Sequence, residues 1–502
     1  MNNRIENMRQ LVDMALQSGR KRQNSQTGYL HHYYQGHDET ACVTIPLVEN
    51  FLFVLALLRS RTIVNITEAK TMLEGLLHFQ NCTDNQFEIG NFPIYMHEYP
   101  ACKDRFTAVQ VAMAVYWILK LFPQILGAEL KRSLEDSFIK MLNHSLKAHA
   151  EKPAAYPVAL KIGALCQAGG HLLQQAILES EGKRILDHLH AYPDRMAWYC
   201  PVTMGAMLSA LTLVYTCLSE SPWSLFWNHL ENTWHQGTCS YVGPAIKEWQ
   251  DGVEPQVTLY DLFLGYFSGG FSARALRDSI VQLEAVIIPA CEDTFNAVSL
   301  PKRLDSSFDD EMWHIYQNEH IAYCFIKNYP EINPAFVKGF HPLRIVWGNS
   351  QQIHSFVCQG GNSKKIEFLQ VLGGVDMIFE LDEIIESEDR EKNREVVFFT
   401  DIHEGLEMLI SDHKATTFSF GEELTLRSGG CQLSLVFQLE GEGRFLGHRM
   451  LGNRPSQLRL KGKQRFDAYD WQIFMRTIKR SERCVIKASL RVQELINDPD
   501  KV

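Results

Sequence analysis

The spacing of apolar residues changes once from a helical to a strand period, and that switch constrains the fold more than any motif in the chain. Before it, NITEAKTMLEGLLHF (65–79) sets Ile66, Ala69, Met72, Leu73, Leu76 and Leu77 three and four residues apart, behind Asn65 or Thr67 as N-cap. DRFTAVQVAMAVYWILKLF (104–122) is longer, more apolar, and stopped by Pro123. Further helices are predicted at 128–149, 154–166, 169–190, 203–219, 222–234, 257–268 and 273–284, with others near 1–18 and 44–60. The stretches 44–60 and 203–219 are apolar nearly all round, so each must be buried on several sides. Many antiparallel helices, some wholly buried, predict a helical toroid with an inner ring inside an outer one. A large irregular bundle is the competing arrangement.

After the switch, LSLVFQLE (433–440) puts Leu433, Leu435, Phe437 and Leu439 on one face, and VDMIFELD (375–382), GLEMLIS (405–411) and VIKASLRV (485–492) alternate similarly. Gly-rich turns at 421–423, 428–430 and 441–443 separate such strands, as expected of an antiparallel β-sandwich. Residues 286–312 hold no sustained period, which places a helical toroid domain at 1–304 and a β-sandwich at 305–502.

A 502-residue chain with 45% hydrophobic and 22% charged residues has ample material for two cores. Its net charge of −10 contains no basic field, so nucleic acid is not an expected partner. The N-terminus lacks a secretory signal's apolar run, and Glu49 and Asn50 interrupt the longest apolar stretch, so neither secretion nor a membrane span is expected. Twelve scattered cysteines without a CxxC pair read as free thiols in a reducing, cytoplasmic compartment. Walker, GxGxxG, GxSxG and HExxH motifs are missing, and no cofactor is expected.

A toroid followed by an all-β sandwich resembles the heparinase II/III-like polysaccharide lyases and the (α/α)-toroid glycoside hydrolases. The stretches LLHFQNC…GNFPIYMHEYP and FQLEGEGRFLGHRMLGNRPSQ carry that resemblance, as architecture and not as a catalytic motif. It implies a carbohydrate-active enzyme, lyase before inverting hydrolase, taking an oligosaccharide or other small polar ligand in the helical cavity. A non-catalytic carbohydrate-binding or scaffold protein is the alternative from another class.

GNFPIYMHEYPACKDRF (90–106) is the leading candidate site. Pro93 and Pro100 bias Phe92 and Tyr99 toward extended backbone, which predicts a ribbon with Tyr95, His97 and Tyr99 on one face and Glu98 on the other. A lyase needs a base for the proton alpha to a uronate carboxylate, an acid for the leaving oxygen and a cation to neutralise the carboxylate, and Tyr95, His97 and Arg105 would supply those roles. An inverting hydrolase would need Glu98 and a second carboxylate ~6.5–9.5 Å away. The bland reading makes Asp104 the N-cap of the next helix and packs the tyrosines against helices.

SYVGPAIKEWQDGVEPQVTLYDLF (240–263) offers Tyr241, Glu248, Trp249, Glu254 and Tyr260 for sugar stacking or as a remote acid or base, against a solvated acidic turn. YLHHYYQGHDET (29–40) lacks metal-site spacing, so no metal is expected, and Tyr34 and His37 are read as pocket-lining. Asn50 is either buried with partners or faces the cavity. In AYPDRMAWYCPV (191–202), Arg195 and Tyr199 are candidate cavity residues, and Asp194 a turn or cap. GHRMLGNRPSQ (447–457) reads as a basic loop, favoured as structural.

Overall fold

The computed structural model describes residues 2–35, 41–82, 88–243, 245–246, 257–276, 281–288, 304–308, 312–327, 340–359, 363–381, 394–401, 403–455, 467–480 and 484–495. The chain forms two compact units, Met1–Trp227 with Val257–Val298, and Asn228–Gln256 with Ser299–Val502. A single cut near residue 304 does not describe this division, because the segment beginning at Asn228 belongs with the sheets.

The helices are α1 (Asn2–Arg22), α2 (Leu47–Arg59), α3 (Ile63–Leu77), α4 (Thr107–Leu121), α5 (Pro123–Leu126), α6 (Ala128–Glu151), α7 (Tyr156–Leu172), α8 (Ala176–Ala191), α9 (Pro201–Val214), α10 (Ser224–Asn232), α11 (Leu259–Ser268) and α12 (Val281–Glu284). In α2, Phe51, Phe53, Leu55 and Leu57 have no exposed surface, and each such burial contributes roughly 2 kcal/mol. Helices of this kind need apolar neighbours on every side. α2 packs on α4, α4 on α7, α7 on α9 and α9 on α11; α12 touches α11 and α2, and α1 touches α2, α11 and α12, which closes a ring. Outside it, α3, α6 and α8 back α2, α4 and α7. In α6, Leu130, Leu134, Phe138, Met141 and Leu142 form one buried stripe, as an outer helix requires. No described helix is long and apolar enough to cross a membrane.

One expected break lies elsewhere. The helices predicted at 154–166 and 169–190 meet between Leu172 and Ala176, because glycines 169 and 170 continue α7 instead of ending it. A Cβ on Gly170 would lie 2.5 Å from the Glu179 backbone nitrogen, and one on Gly182 would lie 2.2 Å from that of Gln167. The bare backbone faces let α7 and α8 close into a tight antiparallel hairpin.

The second unit holds two antiparallel sheets. One orders nine strands as Thr417–Phe418, Gly443–Pro455, Asp467–Arg480, Arg394–Thr400, Ile353–Gln359, Leu343–Gly348, Ile321–Ile326, Trp313–Gln317 and Leu304–Phe308. The other orders Ser363–Val371, Gly374–Leu381, Val485–Glu494, Cys431–Glu440, Glu423–Ser428 and Glu407–Ile410. Tyr323, Ile345, Phe356 and Phe398 of the first share one core with Phe368, Met377, Leu433, Leu435 and Phe437 of the second, so the sheets pack face to face. All four strands read from the period of two are present. Residues 447–455, expected as a loop, continue the strand Gly443–Pro455, paired with Asp467–Arg480; its Arg449 donates to the Met408 carbonyl.

Side chains from 228–243 explain why that segment joins the sheets. The His229 ring meets Trp313 edge-on at 5.2 Å, and the Arg344 guanidinium lies 5.0 Å from the Tyr241 ring centre. His235 Nε2 is 2.8 Å from the Asn318 carbonyl oxygen and Nδ1 is 2.9 Å from Thr238 Oγ1. The carbonyl can only accept, so Nε2 carries the proton and Nδ1 accepts from the hydroxyl, a neutral imidazole. Burial pushes its pKa down to about 4, against the Asn318 hydrogen bond, which raises it. Unfolding restores a value near 6.5, so the unfolded chain binds the extra proton and stability falls as pH drops from about 6.5 toward 4. The loss is at most about 3 kcal/mol. Thermal melts between pH 7 and 4.5 are expected to show this decline, and His235→Asn to flatten it; an unchanged slope would assign the decline to other groups.

Candidate functional site

The loops singled out in the sequence precede inner helices, and the helix starts gather. Leu47 N, at the start of α2, donates to Ile94 O at 3.0 Å, and Met96 N donates to Ile45 O at 3.0 Å, joining the approaches to α2 and α4. Gln110 near the start of α4 accepts from Lys161 near the start of α7. Tyr156, the first residue of α7, donates to Leu189 O at the end of α8, so the loop leading to α9 begins beside α7's start. A Cβ on Gly205 of α9 would lie 2.5 Å from Tyr260 N in α11. The inner helices therefore run parallel, with their incoming loops at one end of the ring.

Loop 90–106 departs from the expected ribbon. Its backbone bridges Pro46 at Tyr95 and then makes a 3-10 turn over Met96–Glu98. The Glu98 carboxylate drives that turn by accepting from Tyr95 N at 3.3 Å, and it pairs with Lys103 at 2.9 Å. Burial raises the Glu98 pKa, but the Lys103 and Tyr95 hydrogen bonds outweigh it and hold the carboxyl below its usual range. Tyr95 and His97 still share a side, their rings stacked at 5.7 Å and 10°, with His97 exposed. Tyr99 meets Phe79 edge-on at 5.8 Å and is exposed. Arg105 pairs with Glu151 at 2.7 Å.

Asp104 works beside the helix start and not as its N-cap. Its carboxylate accepts from Phe106 N and the Thr107 hydroxyl, while the first turn of α4 is covered by Asn91 Oδ1, which accepts from Ala108 N at 2.9 Å. Asn50 is fully buried: Oδ1 accepts from Leu30 N, and Nδ2 donates to the Leu30 and Pro46 carbonyls. That amide is consumed in fastening the chain to α2. Arg195 lies 4.1 Å over the Trp198 ring, Asp194 accepts from Met196 N, and Tyr199, Tyr241 and Tyr260 are buried, Tyr260 completely. Tyr34 stands in a short strand opposite Cys42. His37, Glu248, Trp249 and Glu254 lie outside the described residues. The structure thus groups Tyr95, His97, Glu98 and Tyr99 on one loop, with Arg105 turned to α6 and Arg195 on the loop before α9.

The sequence reading passed over a cluster in the sheet unit. His354 Nδ1 and His403 Nδ1 each lie 3.0 Å from Asp401 Oδ2, with the two rings stacked at 3.6 Å. Asp401 Oδ1 accepts from Ser355 N, and His403 Nε2 hydrogen-bonds the Ser428 hydroxyl. Burial raises the Asp401 pKa, yet hydrogen bonds from His354, His403 and Ser355 outweigh it and hold the carboxyl far below its usual range. One ligand atom from each residue falls within a 4.8 Å group. Metal bonds of about 2.0–2.1 Å in a tetrahedron put ligand atoms about 3.3 Å apart, close to these spacings. Two imidazoles, one carboxylate and an open fourth position could hold zinc or a similar divalent ion once both Nδ1 atoms are unprotonated, a form of His403 that Ser428 supports by accepting from Nε2. Added zinc or cobalt is expected to raise the melting temperature of the wild type and not of His403→Ala; equal responses would dismiss the cluster as a metal site.

Comparison with solved structures supports the architecture. A chondroitin AC lyase of Streptomyces coelicolor A3, solved as a point mutant, matches at TM-score 0.52 and 10% identity over 96% of this chain and 79% of that one. The same enzyme in complex with chondroitin sulphate matches at 0.50 and 9%, over 97% and 79%. Heparinase III matches at 0.50 and 8%, over 98% and 85%. No family model and no curated protein matches the chain. These likenesses establish helices followed by antiparallel sheets; identities this low carry the fold and not the chemistry.

Proposed function

We propose that the chain is a carbohydrate lyase that cleaves a uronate-containing oligosaccharide at the loop end of the helical ring. The observation that carries this reading is the stacked Tyr95–His97 pair, on a loop fastened to the start of α2 at the ring's open end. The structures of similar fold, chondroitin AC lyase and heparinase III, support the same reading. In elimination, His97 takes the proton alpha to the uronate carboxylate, the glycosidic C–O bond breaks as the ring double bond forms, and the Tyr95 hydroxyl protonates the leaving oxygen. A cation must neutralise the carboxylate as charge develops. Arg105 can do so by leaving Glu151, and the Arg195 guanidinium, stacked over Trp198 on the loop before α9, is the second candidate. Free thiols at the described cysteines fit a reducing compartment and a short intracellular substrate.

For the hydrolase alternative, Glu98 fits the ionised base and not the acid. A general acid needs a raised pKa, and Lys103 lowers this one. Incubation with chondroitin and heparan oligosaccharides is expected to yield an ultraviolet-absorbing unsaturated product, with His97→Ala and Tyr95→Phe lowering kcat/KM by about 100-fold or more. Reducing ends without that absorbance would establish hydrolysis, and binding without turnover a carbohydrate-binding protein.

A further inference from the structure

The two sheets treat their basic residues differently. On the six-stranded sheet they meet carboxylates: Arg491 pairs with Asp376 at 2.8 Å, Arg427 with Glu407 at 3.6 Å, and Lys487 with Glu440. On the nine-stranded sheet, Arg394 and Arg476 stand directly opposite each other on the neighbouring strands Arg394–Thr400 and Asp467–Arg480. Like charges in that register repel and cost stability. Glu395, the next residue along, is already spent, accepting from Arg480 Nε at 3.1 Å and from the Thr477 hydroxyl. Among the described residues, no carboxylate forms an ion pair with Arg394, Arg476 or the nearby His448.

Phe474 brings these three groups together. Its neighbours Ile473 and Met475 point into the core that the sheets share, so Phe474 stands on the other face. Arg394 lies along that face, its Cζ 4.6 Å from the Phe474 ring centre and one N–H donated to Gln472 Oε1 at 2.7 Å. His448, opposite Phe474 on the strand Gly443–Pro455, stacks on the same ring at 5.2 Å and 26°. Arg476 follows Phe474 by two residues and so shares its face. All three basic side chains are half-buried. Among the described residues, Arg476 Nε and His448 Nε2 meet no hydrogen-bond partner. Cations drawn partly out of water need an opposing charge to offset the lost solvation.

We propose that Arg394, Arg476 and His448 form a binding site for an oxyanion that a ligand carries as a sulfate or phosphate ester. Guanidinium forks donate in pairs to such oxygens, in charge-assisted bonds stronger than neutral ones. Arg476 Nε and His448 Nε2 are donors with no other use in the fold. A bound anion removes the repulsion between the two arginines, and an uncharged hydroxyl does not. The site belongs to the sheet unit and stands or falls apart from the lyase reading.

Isothermal titration of the full chain tests this with paired probes: a chondroitin disaccharide with and without its sulfate ester, and a phosphate monoester of glucose beside glucose. At least one ester is expected to bind about tenfold or more tightly than its plain counterpart, and Arg394→Gln and Arg476→Gln to remove that advantage. A preference for the sulfated disaccharide assigns the site to sugar sulfates, and a preference for the glucose ester assigns it to phosphate esters. Without ligand, Arg476→Gln is expected to melt at or above the wild type, because the repulsion is gone; a large fall would contradict the repulsion on which the site rests. Equal affinity for ester and plain probes in the wild type would overturn the site. So would an ester preference that both folded variants keep, since the ester is then held elsewhere.

Discussion

The helical unit depends on helices that cannot tolerate water on any side. With α2, α4, α7, α9 and α11 buried almost all round, none can sit at the edge of a layer. A closed ring backed by amphipathic outer helices satisfies all five together. The short α2–α3 and α7–α8 connections alternate chain direction, so inner helices share one polarity and the loops before them share one end. A chain built this way gathers the loops before its inner helices at one end as a by-product of wrapping apolar helices, and Ile94 and Met96 fasten the approach to α4 there.

Much of this architecture was legible because it rests on period. Leu433, Leu435 and Phe437 alternate with Ser434 and Val436 whatever the partner strand, and the structure buries the first three. The misplaced α7–α8 break shows where local reading fails. Adjacent glycines at 169 and 170 look like a stop, but the backbone of α8 occupies the space their side chains would fill. The expected ribbon at 92–99 failed for a related reason: proline preferences favoured extension, and a side-chain bond from Glu98 to Tyr95 N selected a turn. Long-range capping was equally invisible, since Asn91 reaches the start of α4 across the whole loop.

The His354, Asp401 and His403 cluster escaped for want of spacing. His354 and Asp401 stand 47 residues apart and meet only because Ile353–Gln359 pairs with Arg394–Thr400, with Phe356 opposite Thr400. That register sets Asp401 beside Ser355, whose N–H holds one carboxylate oxygen and leaves the other for the two imidazoles. Strand pairing thus supplies the proximity that a helical motif supplies within four residues, and no scan for short motifs can find it.

How each polar group in an apolar setting is satisfied separates scaffold from site. Asn50 spends its amide on three backbone groups, Arg59 donates to the Val286 and Ile288 carbonyls, and Glu395 pairs with Arg480 behind almost no exposed surface. Each is buried or half-buried against partners already in the fold. Lys161, joined to Gln110 by one hydrogen bond, is only half-buried. On the loop, Glu98 is spent on rigidity while His97 stays exposed. Neither cost nor residue type distinguishes these groups in the sequence, where Glu49 and Asn50 stand side by side. Only the neighbours that tertiary packing supplies decide which of the two is buried as a clip and which stays half-buried.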